Sequence, residues 1–378
     1  MKTELDINSN MINWAIRRAG HDLEDFVQKN PKIRVRDWLE KKKAPTVRQL
    51  QDFAHKVNVP FGYLFLPQPP KESLSFPFFR TGKTKTKSVS LNVYDTIMLI
   101  QRRQEWLTDY LQENEFEPLN YVGNFDTKSD YKDIVADIRQ TLNLEGNWAS
   151  KFSTWKNTLE FLTSKIEEIG IIVSFNSVVE NSNKRKIKVE ECRGFVLVDS
   201  FCPFMFVNNG DAKAAQMFTI IHELAHIWLG ESAGFDFKQL QPSNDPLELL
   251  CDKVAAEFLV PENLFNDAWQ ESPDIKKLGR IFKVSPIVIA RRALDLGKLT
   301  KKAFFVFYNR YMKELGAKKE NQPSGGNPYA TFKKRVSLTF VAHVDQAVNK
   351  NQLLYKDAYK LTSLKGNTYE KFINKYLY

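Results

Sequence analysis

The segment His222-Glu223-Leu224-Ala225-His226 combines residue types and spacing that suit metal chemistry. Residues four apart share a helix face, so both imidazoles can reach one tetrahedral metal ion. Glu223, beside the first histidine, is placed to act as general base toward a water activated by that metal. This is the arrangement of a zinc-dependent hydrolase. The chain has only 5 histidines, and two are here. Around them Phe218, Ile220, Ile221, Leu224, Ile227, Trp228 and Leu229 are apolar, as a buried helix requires.

A catalytic zinc site needs a third protein ligand and an open fourth position. His21, His55 and His343 are distant in sequence, which turns attention to carboxylates. Downstream lie Glu248-Leu249-Leu250-Cys251-Asp252 and Val254-Ala255-Ala256-Glu257-Phe258-Leu259-Val260-Pro261. Glu248 and Asp252 share a helix face. Glu248 can therefore ligate the metal while Asp252 accepts a hydrogen bond from the free N–H of a ligand histidine. Glu257 is the rival. At ~3.6 residues per turn it lies about 180° round the helix from Glu248, so the two cannot both face the metal. Periodicity leaves that choice open. Cys251 reads as a small buried residue, with a redox or metal-exchange role as the competing reading.

The elements that must position these residues show in the patterning. A helix near residues 154–168 is followed by strand candidates at 171–175, 194–199 and 203–208. Residues 181–188 read as a basic polar loop. Asn209-Gly210-Asp211 turns into a long helix over 212–229 that carries the histidines. Helices follow at about 245–259, 274–283 and 285–296. The strand at 203–208, just before the active helix, is the expected edge for an extended substrate to pair with.

Phe218 to His226, Glu248 to Asp252 and Ala255 to Pro261 together closely resemble the ImmA/IrrE family of zinc metallopeptidases. The likeness extends over residues 275–296, with Phe282-Lys283-Val284-Ser285 and Arg291-Arg292-Ala293-Leu294. The resemblance implies a zincin-like peptidase core over 166–296 binding one Zn²⁺ per chain. It assigns Glu248 as third ligand with His222 and His226, Glu223 as the catalytic base and Asp252 as the partner of a ligand histidine. It also implies a cytoplasmic endopeptidase that cleaves a helix-turn-helix repressor, or a toxin–antitoxin partner encoded nearby. Longer members carry an N-terminal repressor-like domain and a C-terminal region of the kind found here.

Residues 1–70 read as five short helices. Trp14-Ala15-Ile16-Arg17, the stretch from Arg34 to Glu40 with Trp38, and Pro45-Thr46-Val47-Arg48-Gln49-Leu50 leading to Pro60 resemble a Cro/repressor-type (XRE-like) helix-turn-helix domain. That resemblance implies a DNA-reading helix over roughly 32–39, on which Arg34 and Arg36 could meet phosphates or guanine edges. Residues 71–165 read as a helical connection, residues 81–90 as a polar basic loop within it, 316–328 as a linker or long loop, and 297–378 as a basic, mostly helical end. The fold class is α+β, mainly helical and multi-domain.

Composition excludes other classes. The chain has 378 residues, 43% hydrophobic and 26% charged, and a mean hydropathy of −0.41. No run approaches the ~18 apolar residues a membrane span needs, and the first residues, without an apolar h-region, are not expected to form a secretory signal. Its 3 cysteines are too few and too scattered for a disulfide framework. The charge is uneven: residues 1–90 carry 17 basic and 9 acidic side chains, 91–296 carry 22 and 31, and 297–378 carry 16 and 5. Basic ends of this kind suit nucleic acid or acidic partners. A DNA-binding regulator or antitoxin built on a peptidase-like scaffold is therefore the alternative to a protease.

Overall fold

The computed structural model describes residues 7–72, 78–80, 90–236, 245–319 and 328–378. The chain divides into two compact units: Met1–Ser75 with Ser88–Tyr94, and Phe76–Lys87 with Asp95–Tyr378.

The first unit is helical, and local signals set its boundaries. Asn8 caps α1 (Ser9–Arg18), and Gly20, at φ +81°, turns the chain out of it. Asp22 caps α2 (Leu23–Lys29) by accepting from the Asp25 N–H. The short helix α3 (Val35–Leu39) follows. Thr46 and Gln49 then form a reciprocal capping box at the start of α4 (Val47–Val57), and a 3₁₀ turn covers Phe61–Phe65. Ile12, Ile16, Phe26, Trp38, Leu50, Phe53 and Leu64 fill the core. The rings of Phe26 and Trp38 both stand edge-on to Phe53. The helix that the resemblance places over roughly 32–39 is shorter and begins only at Val35. Pro31 and the Ile33 N–H···O=C Asn30 turn hold the preceding residues out of it.

The second unit opens with β1 (Phe78–Arg80), α5 (Leu91–Glu113, from Asp95 onward), α6 (Tyr131–Thr141) and α7 (Trp155–Glu168). Strands β2 (Ile172–Asn176), β3 (Val178–Val179), β4 (Ser182–Lys186), β5 (Gly194–Leu197) and β6 (Phe204–Asn208) lead to α8 (Lys213–Trp228). Strand β7 (Ala233–Asp236) follows, then α9 (Pro246–Leu259), α10 (Glu262–Glu271), α11 (Ile275–Ile281), α12 (Pro286–Asp295) and α13 (Lys301–Lys319). Helices α14 (Pro328–Val336), α15 (Leu338–Asn349), α16 (Tyr355–Thr362) and α17 (Asn367–Tyr376) close the chain. The main sheet runs β1-β7-β5-β6-β2. The β2/β6 and β1/β7 pairs are parallel, and β5 is antiparallel to both of its neighbours. The architecture is mixed and mainly helical, of the α+β type. Among the described residues no helix is long and apolar enough to cross a membrane.

Three expectations are corrected. Strand β6 is not an edge: β5 pairs with one side and β2 with the other, so its backbone groups are already taken. Its apolar run, buried at every position, is that of an interior strand covered on both faces. Residues 182–186 form no loop but the outer strand of a ribbon with β3. Its largely exposed, lysine-rich sequence carries no alternation to reveal it. Of the expected linker at 316–328, residues 316–319 continue α13, a single glycine being a modest cost inside a helix, and Pro328 opens α14. Its remainder, residues 320–327, and residues 81–89 of the expected basic loop lie outside the described residues.

One apolar core takes in α6, α7, α8, α9 and α12 together with the sheet. Around α8 the polar contacts are specific. Tyr121 stacks on Trp228 with ring centroids 4.5 Å apart, and the Trp228 indole donates to Asp137 Oδ1 on α6 at 2.5 Å. Arg139 of α6 donates to the Phe258 carbonyl at the end of α9 at 2.7 Å. Arg292 of α12 pairs with the Glu257 carboxylate of α9, and both side chains are largely buried. Farther along the chain, Arg103 donates to the Leu361 carbonyl near the end of α16 at 2.8 Å, over the Phe340 ring, which suits a cation at a helix C-terminus.

Removing one partner of a buried ion pair strands the other, at a cost of about 3–5 kcal/mol. Arg292→Ala is expected to lose about 3 kcal/mol in urea unfolding. Arg292→Ala/Glu257→Ala should lose less than the two single variants combined, and simple additivity would show that the pair does not hold α12 to α9.

Candidate metal centre

Helix α8 follows the turn after β6, and everything from Gln216 to Trp228 on it is buried. Helix α9 begins at Asp245, whose side chain caps it, with Pro246 in the first turn. The two helices bring His222, Glu223, His226 and Glu248 together, all at 0% exposure. Four ionisable groups without solvent need one another or a cation.

His222 Nδ1 lies 3.1 Å from Asp252 Oδ1. A carboxylate only accepts, so in the neutral ring Nδ1 carries the proton and Nε2 presents its lone pair. That Nε2 lies 3.3 Å from His226 Nε2 and 3.2 Å from Glu248 Oε2. His226 Nε2 lies 3.4 Å from Glu248 Oε1. Both Glu248 oxygens are within ion-pair reach of the rings yet lack hydrogen-bond geometry. At zinc–ligand bonds of about 2.0–2.1 Å, tetrahedral donors stand about 3.3–3.4 Å apart. The separations and the orphaned oxygens therefore fit a shared cation. His222, His226 and Cys251 also form a buried group whose donor atoms lie within 4.8 Å of one another and could hold a metal.

The electrostatics separate the two glutamates. Burial disfavours the Glu248 carboxylate, but the two imidazoles outweigh it and hold its pKa well below the usual range. Burial likewise opposes charge on His222, and Asp252 and Glu248 reverse it, favouring the protonated ring. A metal entering there would displace that proton. Glu223 touches neither ring through a hydrogen bond. Burial pushes it up to about 8, against the His222 charge and with the Glu248 charge, and both its oxygens are buried without a partner. The Cys251 thiol is pushed well up by burial and by the surrounding carboxylates.

The rival of the sequence reading lies elsewhere: Glu257 Oε1 accepts from the Glu262 N–H at 3.2 Å and Oε2 from Arg292. In the first unit, Arg34 pairs with Asp37 at 2.5 Å and Arg36 with Glu24. Both arginines remain about half exposed, so neither is brought into a site by its own unit.

Sequence reasoning missed Gly194. It opens β5 directly beneath α8. A Cβ there would run into Thr219 Cγ2 and sit 3.3 Å from Glu223 Oε1 and 3.0 Å from the Phe206 carbonyl. Nothing local signals this, because the crowding atoms belong to α8 and β6.

With the geometry described, comparison adds a family. Residues 166–294 match the Peptidase M78 model, an IrrE N-terminal-like domain. This supports the resemblance of that segment to the ImmA/IrrE family and suggests a metallopeptidase, a class that typically uses zinc. Residues 336–375 match a domain of unknown function, DUF8813. No curated protein gives a significant match.

Gly194→Ala is expected to cost about 1–3 kcal/mol by overpacking and to displace the Glu223 carboxylate. Thr219→Ser removes the clashing methyl and keeps the hydroxyl that donates to the Ala215 carbonyl at 3.1 Å. The double variant should recover most of the lost thermal stability. Failure to recover would mean that Thr219 is not the obstacle.

Proposed function

We infer that residues 166–296 act as a zinc-dependent metallo-endopeptidase that cleaves a regulatory protein, a helix-turn-helix repressor or a toxin–antitoxin partner. The observation that carries this reading is the buried, unpartnered Glu223 carboxylate beside donor atoms at tetrahedral spacing. His222, His226 and Glu248 are the assigned metal ligands. Glu248 is preferred to Cys251 because its oxygens stand 3.2 and 3.4 Å from the two imidazole nitrogens and a carboxylate needs no further deprotonation to ligate.

Zinc, when bound, supplies the Lewis acidity that polarises a scissile carbonyl and makes water a competent nucleophile near neutral pH. The residues of the chain do the rest. Asp252 fixes the tautomer and orientation of the His222 ring. Glu223 accepts the proton of the attacking water as its oxygen bonds to the carbonyl carbon. Glu223 then delivers that proton to the leaving amine as the C–N bond breaks. The dry surroundings of Glu223, which favour its protonated form, suit a group that must both take and return a proton.

Mass spectrometry of the purified protein should find about one zinc per chain. Glu248→Ala should lose most of it and Cys251→Ala should keep it. Glu223→Gln should stay folded and zinc-loaded while losing at least a hundredfold in cleavage of regulatory proteins encoded beside its gene. A well-folded chain that takes up no zinc when supplied would overturn the reading.

A further inference from the structure

His222, Glu223, His226 and Glu248 are all at 0% exposure. A polypeptide cannot reach donor atoms that have no solvent contact, so this conformation is a closed one, and part of the chain must move before a peptide bond can be cut. The sheet shows which part. An extended peptide joins a sheet through the free backbone groups of one strand. The strand that stands against the proposed base is β5, because a Cβ on Gly194 would sit 3.3 Å from Glu223 Oε1. One side of β5 is taken by β6. The other is filled by the chain itself in antiparallel register, with Phe235 of β7 opposite Gly194, Gly234 opposite Phe195 and Ala233 opposite Val196. Strand β1 then covers β7, with Phe79 opposite Phe235. Phe79, Phe235 and Gly194 thus form one line across the sheet that ends beside the Glu223 carboxylate. The outermost strands, β1 and β2, are each separated from β5 by another strand.

The approach to β7 is fixed. Gly230, at φ +71°, turns the chain at the end of α8. The Glu231 N–H donates to the His226 carbonyl at 3.0 Å, and the Val198 N–H donates to the Ser232 hydroxyl at 2.8 Å. Past Ser232, β7 is paired with β5 over three residues and with β1 over three. Pairings this short open locally at far lower cost than the buried helices of the core. A peptide that took the place of β7 would restore the same backbone hydrogen bonds on β5, so the exchange favours an extended, unpaired segment over a folded one.

We propose that β7, backed by β1, is a strap that holds the place of an extended peptide on β5. The closed conformation is then a latent one, and the site opens when the strap swings off β5 about Gly230 and Ser232. This rests on the peptidase reading above.

The test uses zinc-loaded full-length protein and calorimetry, with trialanyl hydroxamate as an extended probe that ends in a metal-binding group. Opposed Cα atoms of an antiparallel pair stand about 4.5–5.5 Å apart, within the span of a disulfide. Val196→Cys/Ala233→Cys should therefore lock β7 on β5 when oxidised and release it when reduced. Oxidation is expected to weaken binding of the probe at least about tenfold, reversibly and at unchanged zinc content, because the open fraction falls. Gly234→Pro removes a ladder N–H from the middle strand of the three. It should tighten binding at least about threefold by raising the open fraction, and it serves if the cross-linked variant does not fold. Equal affinity of the oxidised and reduced forms would show that β7 does not stand in the place of the peptide. So would unchanged, weaker or absent binding by zinc-loaded Gly234→Pro protein. A folded chain that takes up no zinc would instead overturn the metal reading, and this inference with it.

Discussion

Desolvated charge is the constraint on which the second unit depends. Two imidazoles and two carboxylates are held at the α8–α9 crossing without solvent contact. Such a cluster is costly unless its members compensate one another or a cation compensates them. The surrounding structure prevents the two helices from sliding apart and letting water relieve that cost. Helix α8 is buried around its circumference from Gln216 to Trp228 and enclosed by sheet and helices. Trp228 ties its end to α6, Arg139 ties α6 to the end of α9, and Arg292 ties α12 to α9. Each tie is a polar contact at the margin of an apolar core.

Within that cluster one residue type is put to two uses. Glu248 and Glu223 are equally buried, but Glu248 faces two ring nitrogens while Glu223 faces none at bonding distance. The first is thereby held as an anion and the second is biased toward its neutral form. This divergence between chemically identical groups is a recurrent way of dividing ligand and acid–base roles in one site. Gly194 belongs to the same arrangement, since any side chain at that position would occupy the space beside the Glu223 oxygens.

Much of this was legible in the chain because it depends on short sequence separations. The four-residue step between the two histidines, and between Glu248 and Asp252, fixes a shared helix face whatever the fold. The opposition of Glu248 and Glu257 was likewise a matter of helical period, and the structure supplies its reason in the Arg292 pair. What was not readable depends on elements far apart in sequence. An apolar strand such as β6 looks alike whether or not its second edge is filled. The polar strand β4 has no alternation to betray it. Gly194 is constrained by α8 and β6, both of which follow it in the chain.

The sheet also carries a lesson about assembly order. Its outermost strand, β1, comes from a stretch far upstream of β7, against which it lies in parallel register from Phe78 opposite Gly234 to Arg80 opposite Asp236. Bringing such distant segments together costs more loop-closure entropy than the near-neighbour pairings of β5 with β6. Three paired residues return little for that cost, which leaves β1 weakly held by its own pairing. On a ribosome it waits for its partner until α8 has been made. The sheet edge can therefore be completed once α8, with His222 and His226, has been made, and before Glu248 of α9 has.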